Sequence, residues 1–179
     1  NGFTILKRSD LLNHISEKFT VIAIAGTHGK TTISIMLSHI LKSAGFNPSA
    51  FFGGISNNYC SNFLIGTGEY MIIEADEYDR SFLKLSPAIS LITALDNDHS
   101  DTYKSDNEMV RAYYKFIVNT MRSERPKLFI RESVLNQFKC FLSNKDFIKI
   151  LQYTSYINES AINTSFLKNL CDHNIKNAM

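Results

Sequence analysis

The spacing of apolar positions changes along the chain, and the changes mark its elements. Residues 20–25 (T-V-I-A-I-A) form a continuous β-branched run, the pattern of a strand buried on both faces. Residues 26–29 read as a turn. From Lys30 onward, Ile33, Met36, Leu37, Ile40, Leu41 and Ala44 recur at helical spacing, with Gly45 placed to close that helix. Upstream, residues 3–6 read as an extended lead-in. Ser9 or Asp10 reads as the cap of a short helix through Leu11, Leu12 and Ile15. Downstream, residues 49–52 predict a strand that ends at Gly53-Gly54. The Asn- and Gly-rich stretch 54–69 predicts a loop with a β-ribbon.

The second half continues the alternation. Residues 70–73 and 89–93 read as strands, with a helical turn over 81–85 between them. Ser105-x-x-Glu108 is a capping box that opens a helix with Met109, Ala112, Tyr113, Phe116 and Thr120 along one side. Residues 127–130 and 147–151 read as strands around a short helix over 134–142, and the last 25 residues are weakly patterned and Asn-rich. Strands alternating with helices predict an α/β fold, a three-layer P-loop domain on a mostly parallel sheet.

Composition narrows the function. The chain has 179 residues, 44% hydrophobic and 20% charged, enough for one domain with a real core. Lys+Arg total 19 against 17 Asp+Glu, so bulk charge gives no support for a nucleic-acid or acidic-membrane binder. No apolar run approaches the roughly 18 residues of a membrane span, and no signal peptide is visible. Cys60, Cys140 and Cys171 are widely spaced, as expected of reduced thiols in a cytoplasmic protein. The chain starts without Met and stops in what reads as the start of a helix, so a piece of a longer protein is expected.

The chemistry gathers first at Gly26-Thr27-His28-Gly29-Lys30-Thr31-Thr32. A Gly-rich loop between an apolar strand and an amphipathic helix can wrap a phosphate in backbone N–H groups, with the helix N-terminus adding positive potential. Lys30 would reach the β/γ-phosphates, and the Thr31 hydroxyl is placed for Mg²⁺. The plain alternative is a tight strand-to-helix turn with a surface lysine. The general motif asks for Gly at position 24, where this chain has Ile24. Further on, Glu74, Asp76, Glu77 and Asp79 crowd carboxylates that repel one another unless cations are near, and Arg80 is a candidate partner.

With Ile24 before it, G-T-H-G-K-T-T resembles the variant phosphate loop of the Mur ligases, which add amino acids to the peptidoglycan precursor. Other segments agree in order. Gly53-Gly54, Asn62, Gly66 and Gly68-Glu69-Tyr70 resemble the loop before the second strand of the family's ATP domain. The run from Glu74 to Leu83 resembles E-A-D-E-x-D-x-S-F-L, and Thr93 with Asp98-His99-Ser100-Asp101-Thr102-Tyr103 resembles T-x4-D-H-x-D-x-Y. His173-Asn174-Ile175-Lys176-Asn177-Ala178 resembles the family's H-N-x-x-N-A box. The match is best to members that join L-alanine to UDP-N-acetylmuramate. Members that attach a preformed tripeptide in cell-wall recycling follow.

The resemblance implies ATP-dependent amide formation through an acyl phosphate, with Mg²⁺ (Mn²⁺ as a substitute) and with UDP-N-acetylmuramate and L-alanine as substrates. It implies that Gly26 to Thr32, His173, Asn174 and Asn177 bind ATP, and that Thr31, Glu74 and His99 hold metal. Lys30, His28 and His99 would serve the chemistry, and Gly53, Gly54 and Asn62 would touch the UDP-sugar. Each has a plainer alternative: a structural histidine at 99, a loop-stabilising donor at His28, a flexible turn at Gly53-Gly54, a helix cap at Asn174. Residues 1–18 would enter from an absent N-terminal UDP-binding domain. Residues 19–179 would be the central ATP-binding domain, cut before the C-terminal amino-acid-binding domain. Departures are Cys171 for a usual Gly, Ala94 for a common Asn, Ser100 for Met or Leu, and a short span from His99 to His173. A non-catalytic remnant or an unrelated P-loop kinase are the other readings. Loss of Lys30 is expected to abolish ligation and to spare the fold.

Overall fold

A computed structural model describes residues 7–78, 80–96 and 102–155. Expectations that fall on residues 3–6, Asp79, Asp98, His99, Ser100, Asp101, Cys171 and the 173–178 box therefore lie outside the described residues. A seven-stranded sheet runs in the order β3-β2-β4-β1-β5-β6-β7. Its strands are β1 (Thr20–Ala25), β2 (Ser49–Ser56), β3 (Ser61–Leu64), β4 (Tyr70–Glu74), β5 (Ile89–Ile92), β6 (Lys127–Ile130) and β7 (Thr154–Ser155). All neighbours pair parallel except β3, which folds back antiparallel on β2 at one edge.

Strand β1 lies at the centre and is buried on both sides, as its unbroken apolar run requires. Its side chains alternate. Val21, Ala23 and Ala25 join one core with α3 (Asp106–Met121) and α4 (Glu132–Phe141). Ile22 and Ile24 join a second core against α2 (Lys30–Ser43). Helices on both faces make three layers. The chain leaves β1 through α2 to one side of the sheet and reaches β5, β6 and β7 on the other. That divergence opens a crevice at the carboxyl ends of β1, β4 and β5, where open α/β sheets collect ligands.

Several local readings need correction. Residues 147–151 are helix, within α5 (Asn144–Leu151). Phe147, Ile150 and Leu151 all turn toward the core, an i, i+3, i+4 set that outranks the apparent alternation of Phe147, Ile148, Lys149 and Ile150. Ser143 starts this helix by accepting the Asp146 N–H. The strand expected there is the short β7 that follows. Strand β2 does not end at Gly53 but runs through both glycines to Ser56, where pairing with β3 resumes after an irregular stretch. The short first helix, α1 (Arg8–Ser16), starts after Lys7, so Ser9 and Asp10 lie inside it; the Asp10 carboxylate reaches back to the Lys7 N–H from the first turn. On α2 the fully buried positions are Ser34 and Ser38, whereas Ile40 is 58% exposed. The capping box holds: the Ser105 hydroxyl accepts the Glu108 N–H. Among the described residues no helix is long and apolar enough to cross a membrane.

Candidate functional site

The loop 26–29 leaves β1 under two constraints. Gly26 has φ +129°, and a Cβ there would stand 2.1 Å from Thr93 Oγ1 and 2.9 Å from the Ala94 backbone nitrogen. Only glycine fits such a position. Gly29 has φ +78° and is the residue before α2, turning the chain into the helix. The neighbouring strand end fixes the loop from below. Thr27 N–H donates to Ala94 O at 2.9 Å, and Asp96 N–H donates to the Thr27 hydroxyl at 3.1 Å. Thr93 Oγ1 donates to the His28 carbonyl at 2.5 Å. The N-terminal amides of α2 thus open at the carboxyl edge of the sheet, an anion-binding arrangement.

Three expected residues meet there. Thr31 Oγ1 donates to Glu74 Oε1 at 2.8 Å. Gly53 N–H donates to Glu74 Oε2 at 2.5 Å. A Cβ on Gly53 would fall 2.5 Å from Glu74 Oε1, so the bare glycine is what lets the carboxylate lie across β2. A Cβ on Gly54 would stand 3.6 Å from Thr31 Cγ2, which places that glycine beside the same helix start. Thr31 and Glu74 present oxygen donors side by side, the type Mg²⁺ takes. Thr32 is exposed one residue on, and Asn62 is exposed on β3.

Lys30 holds two partners. Its Nζ donates to Gly26 O at 2.7 Å and to Glu77 Oε1 at 2.9 Å. The two side chains of that ion pair are only 13% and 4% exposed. Glu77 is the residue sequence reasoning missed. The crowding of carboxylates signalled a need for a cation, but Arg80 was the expected one. Instead Arg80 pairs with Glu108 of α3 and covers the Tyr103 ring at 5.4 Å. Behind Glu77 stand two buried phenols. Burial first, and the Glu77 charge second, push the Tyr103 hydroxyl up to about 12 and Tyr113 upward as well. Both therefore stay protonated at any physiological pH.

His28 is exposed on the loop, with Nε2 at 3.6 Å from Asp96 Oδ2. A cleft of about 460 Å³ opens beside the loop, lined by Lys30, Gly53, Glu74, Asp76 and Tyr78. The site therefore gathers the phosphate loop, Glu74 and Gly53, and adds Glu77. His99, His173, Asn174 and Asn177 lie outside the described residues, so the geometry here includes none of them.

Comparison with known proteins agrees with this geometry. Residues 24–177 match the family described as Mur ligase middle domain. The UDP-N-acetylmuramate–L-alanine ligase of Christiangramia forsetii is 36% identical over 189 residues, covering 99% of this chain and 41% of that protein. The protein of the same name from Phocaeicola vulgatus is 48% identical over 117 residues, covering 65% of this chain and 26% of that protein. Among solved structures, the UDP-N-acetylmuramate-alanine ligase of Thermotoga maritima matches with TM-score 0.58 and 31% identity, over 68% of this chain and 27% of that one. The chain thus spans less than half the length of these relatives. Its sequence from the phosphate loop onward and its sheet agree on one assignment: the chain belongs to the Mur ligase middle-domain family.

Proposed function

We propose that this chain is the ATP-binding part of a ligase that joins L-alanine to UDP-N-acetylmuramate through an acyl phosphate. The observation that carries the proposal is the phosphate loop on the central strand with Thr31 and Glu74 in contact beside it. The likeness to L-alanine ligases along 99% of the chain supports the substrate choice. A nucleotide triphosphate and a muramoyl carboxylate are both anions, so their approach needs fixed positive groups. Lys30, the loop amides and the start of α2 supply them. Thr31 and Glu74 fit Mg²⁺ and would hold it, where it would neutralise phosphate charge; Mn²⁺ would substitute. His99 would hold a second ion, and His173, Asn174 and Asn177 would line the base pocket. Gly53 keeps the Glu74 carboxylate in place, and Gly53, Gly54 and Asn62 would face the sugar nucleotide. His28 would stand at the rim, steadied by Asp96. The N- and C-terminal domains of the same enzyme would complete the sugar-nucleotide and amino-acid sites.

The test uses the full-length protein that carries this chain. Phosphate release from ATP is expected to require UDP-N-acetylmuramate and L-alanine together, with UDP-N-acetylmuramoyl-L-alanine as product by mass. Release supported by a preformed L-alanyl-γ-D-glutamyl tripeptide and not by L-alanine would assign the recycling reaction instead.

A further inference from the structure

The Lys30–Glu77 pair places a buried carboxylate directly against the lysine that a phosphate needs. Glu77 is 3% exposed and sits where β4 ends, three residues after Glu74. Its Oε1 and the Gly26 carbonyl take two of the three ammonium protons of Lys30, at 2.9 and 2.7 Å. One proton is left to point at a ligand. A flexible four-carbon side chain is thereby fixed at both sides of its charge, and much of its field is cancelled at rest.

We propose that Glu77 is a positioning residue for the ligase reaction: it aims the Lys30 ammonium at the transferring phosphate, and it lowers resting nucleotide affinity in doing so. This rests on the functional reading above. Two consequences follow from charge alone. Removing the Glu77 charge leaves Lys30 a stronger attractor for polyphosphate but a looser one. Removing Lys30 by itself takes the 2.9 Å cation from a buried carboxylate at the phosphate loop, whose charge then repels the ligand and weakens the domain.

The experiment compares Glu77→Gln, Lys30→Ala and the double variant in the full-length protein, with Mg²⁺·ADP titrated by calorimetry, phosphate release, and thermal melts. For Glu77→Gln, Mg²⁺·ADP is expected to bind roughly tenfold more tightly, as loss of one nearby like charge implies. Its turnover should fall at least about tenfold, since the transition state loses a fixed cation. Opposite movement of binding and turnover is a split that simple damage to the fold does not produce. The double variant should melt higher and bind Mg²⁺·ADP more tightly than Lys30→Ala. That comparison reads the effect of the Glu77 charge on affinity even if Glu77→Gln alone fails to fold, and Glu77→Asp, with a shorter reach to Lys30, then reads the aiming as lost turnover. Weaker binding in Glu77→Gln, or a double variant no better than Lys30→Ala, would overturn the proposal. A wild-type protein that binds no Mg²⁺·ADP would overturn the ATP-site reading itself, and this inference with it.

Discussion

Gly26 and Gly53 show how little side chain the site tolerates, and each makes a different prediction. At Gly26 the φ of +129° and the 2.1 Å approach to Thr93 Oγ1 combine strain with a clash. Gly26→Ala is expected to lower stability by about 1–3 kcal/mol, the usual size of such backbone strain. The same change should displace the loop, so urea unfolding and nucleotide titration should both show the loss. At Gly53 the obstacle is the end of a side chain, Glu74 Oε1 at 2.5 Å, and the backbone lies outside the left-handed region. Gly53→Ala should therefore leave the unfolding midpoint nearly unchanged. It should instead swing the Glu74 carboxylate and raise the Mg²⁺ concentration needed for nucleotide binding. A Mg²⁺ titration identical to wild type would remove Glu74 from the metal role proposed for it. Glycine spacing announces such positions in the sequence. Which group each glycine makes room for is a tertiary fact.

Helix α5 starts at a side-chain cap. Ser143 Oγ accepts the Asp146 N–H at 3.2 Å and donates to Asp146 Oδ2 at 2.8 Å. Ser143→Ala should cost about 1 kcal/mol in chemical denaturation, as for other helix N-caps. The Tyr114 hydroxyl first, then that of Ser143, hold the Asp146 carboxyl below its ordinary value of 3.8. A folded pKa below the unfolded one adds stability that is present above the unfolded value and is lost as the pH falls through the folded one. Replacing Tyr114 by Phe should therefore narrow the stability gap between neutral and strongly acidic solution, read as urea midpoints. Locally this segment reads as a strand because Ile148 and Ile150 flank Lys149. By contrast β1 and the start of α2 were legible, since an apolar run, a glycine turn and a 3.6-residue period agree locally. Strand β2 reads as shorter for the opposite reason: its pairing with β3 resumes at Ser56, beyond an irregular stretch that contains both glycines.

At the scale of the whole molecule, one central strand carries the phosphate loop to the rim where β4 and β5 also end. Glu74 reaches that rim because the register sets it beside Ile24 of β1. So much could be expected from motifs that each follow an apolar strand. The Lys30–Glu77 pair could not, because it joins residues 47 positions apart through the sheet. It also changes the expected behaviour of Lys30→Ala: the lysine is ion-paired with a buried carboxylate, so its loss touches the fold as well as the ligand. The clean test of the phosphate loop is therefore Lys30→Ala combined with Glu77→Gln, which removes both charges together. The measurement is phosphate release by the full-length protein, dependent on UDP-N-acetylmuramate and L-alanine, with a melting curve beside it. The expected result is a melting temperature near wild type and turnover lower by about 10²–10³, the usual effect of removing one such group from a transition state. Near-normal turnover in the folded double variant would contradict the assignment of this loop as the ATP site.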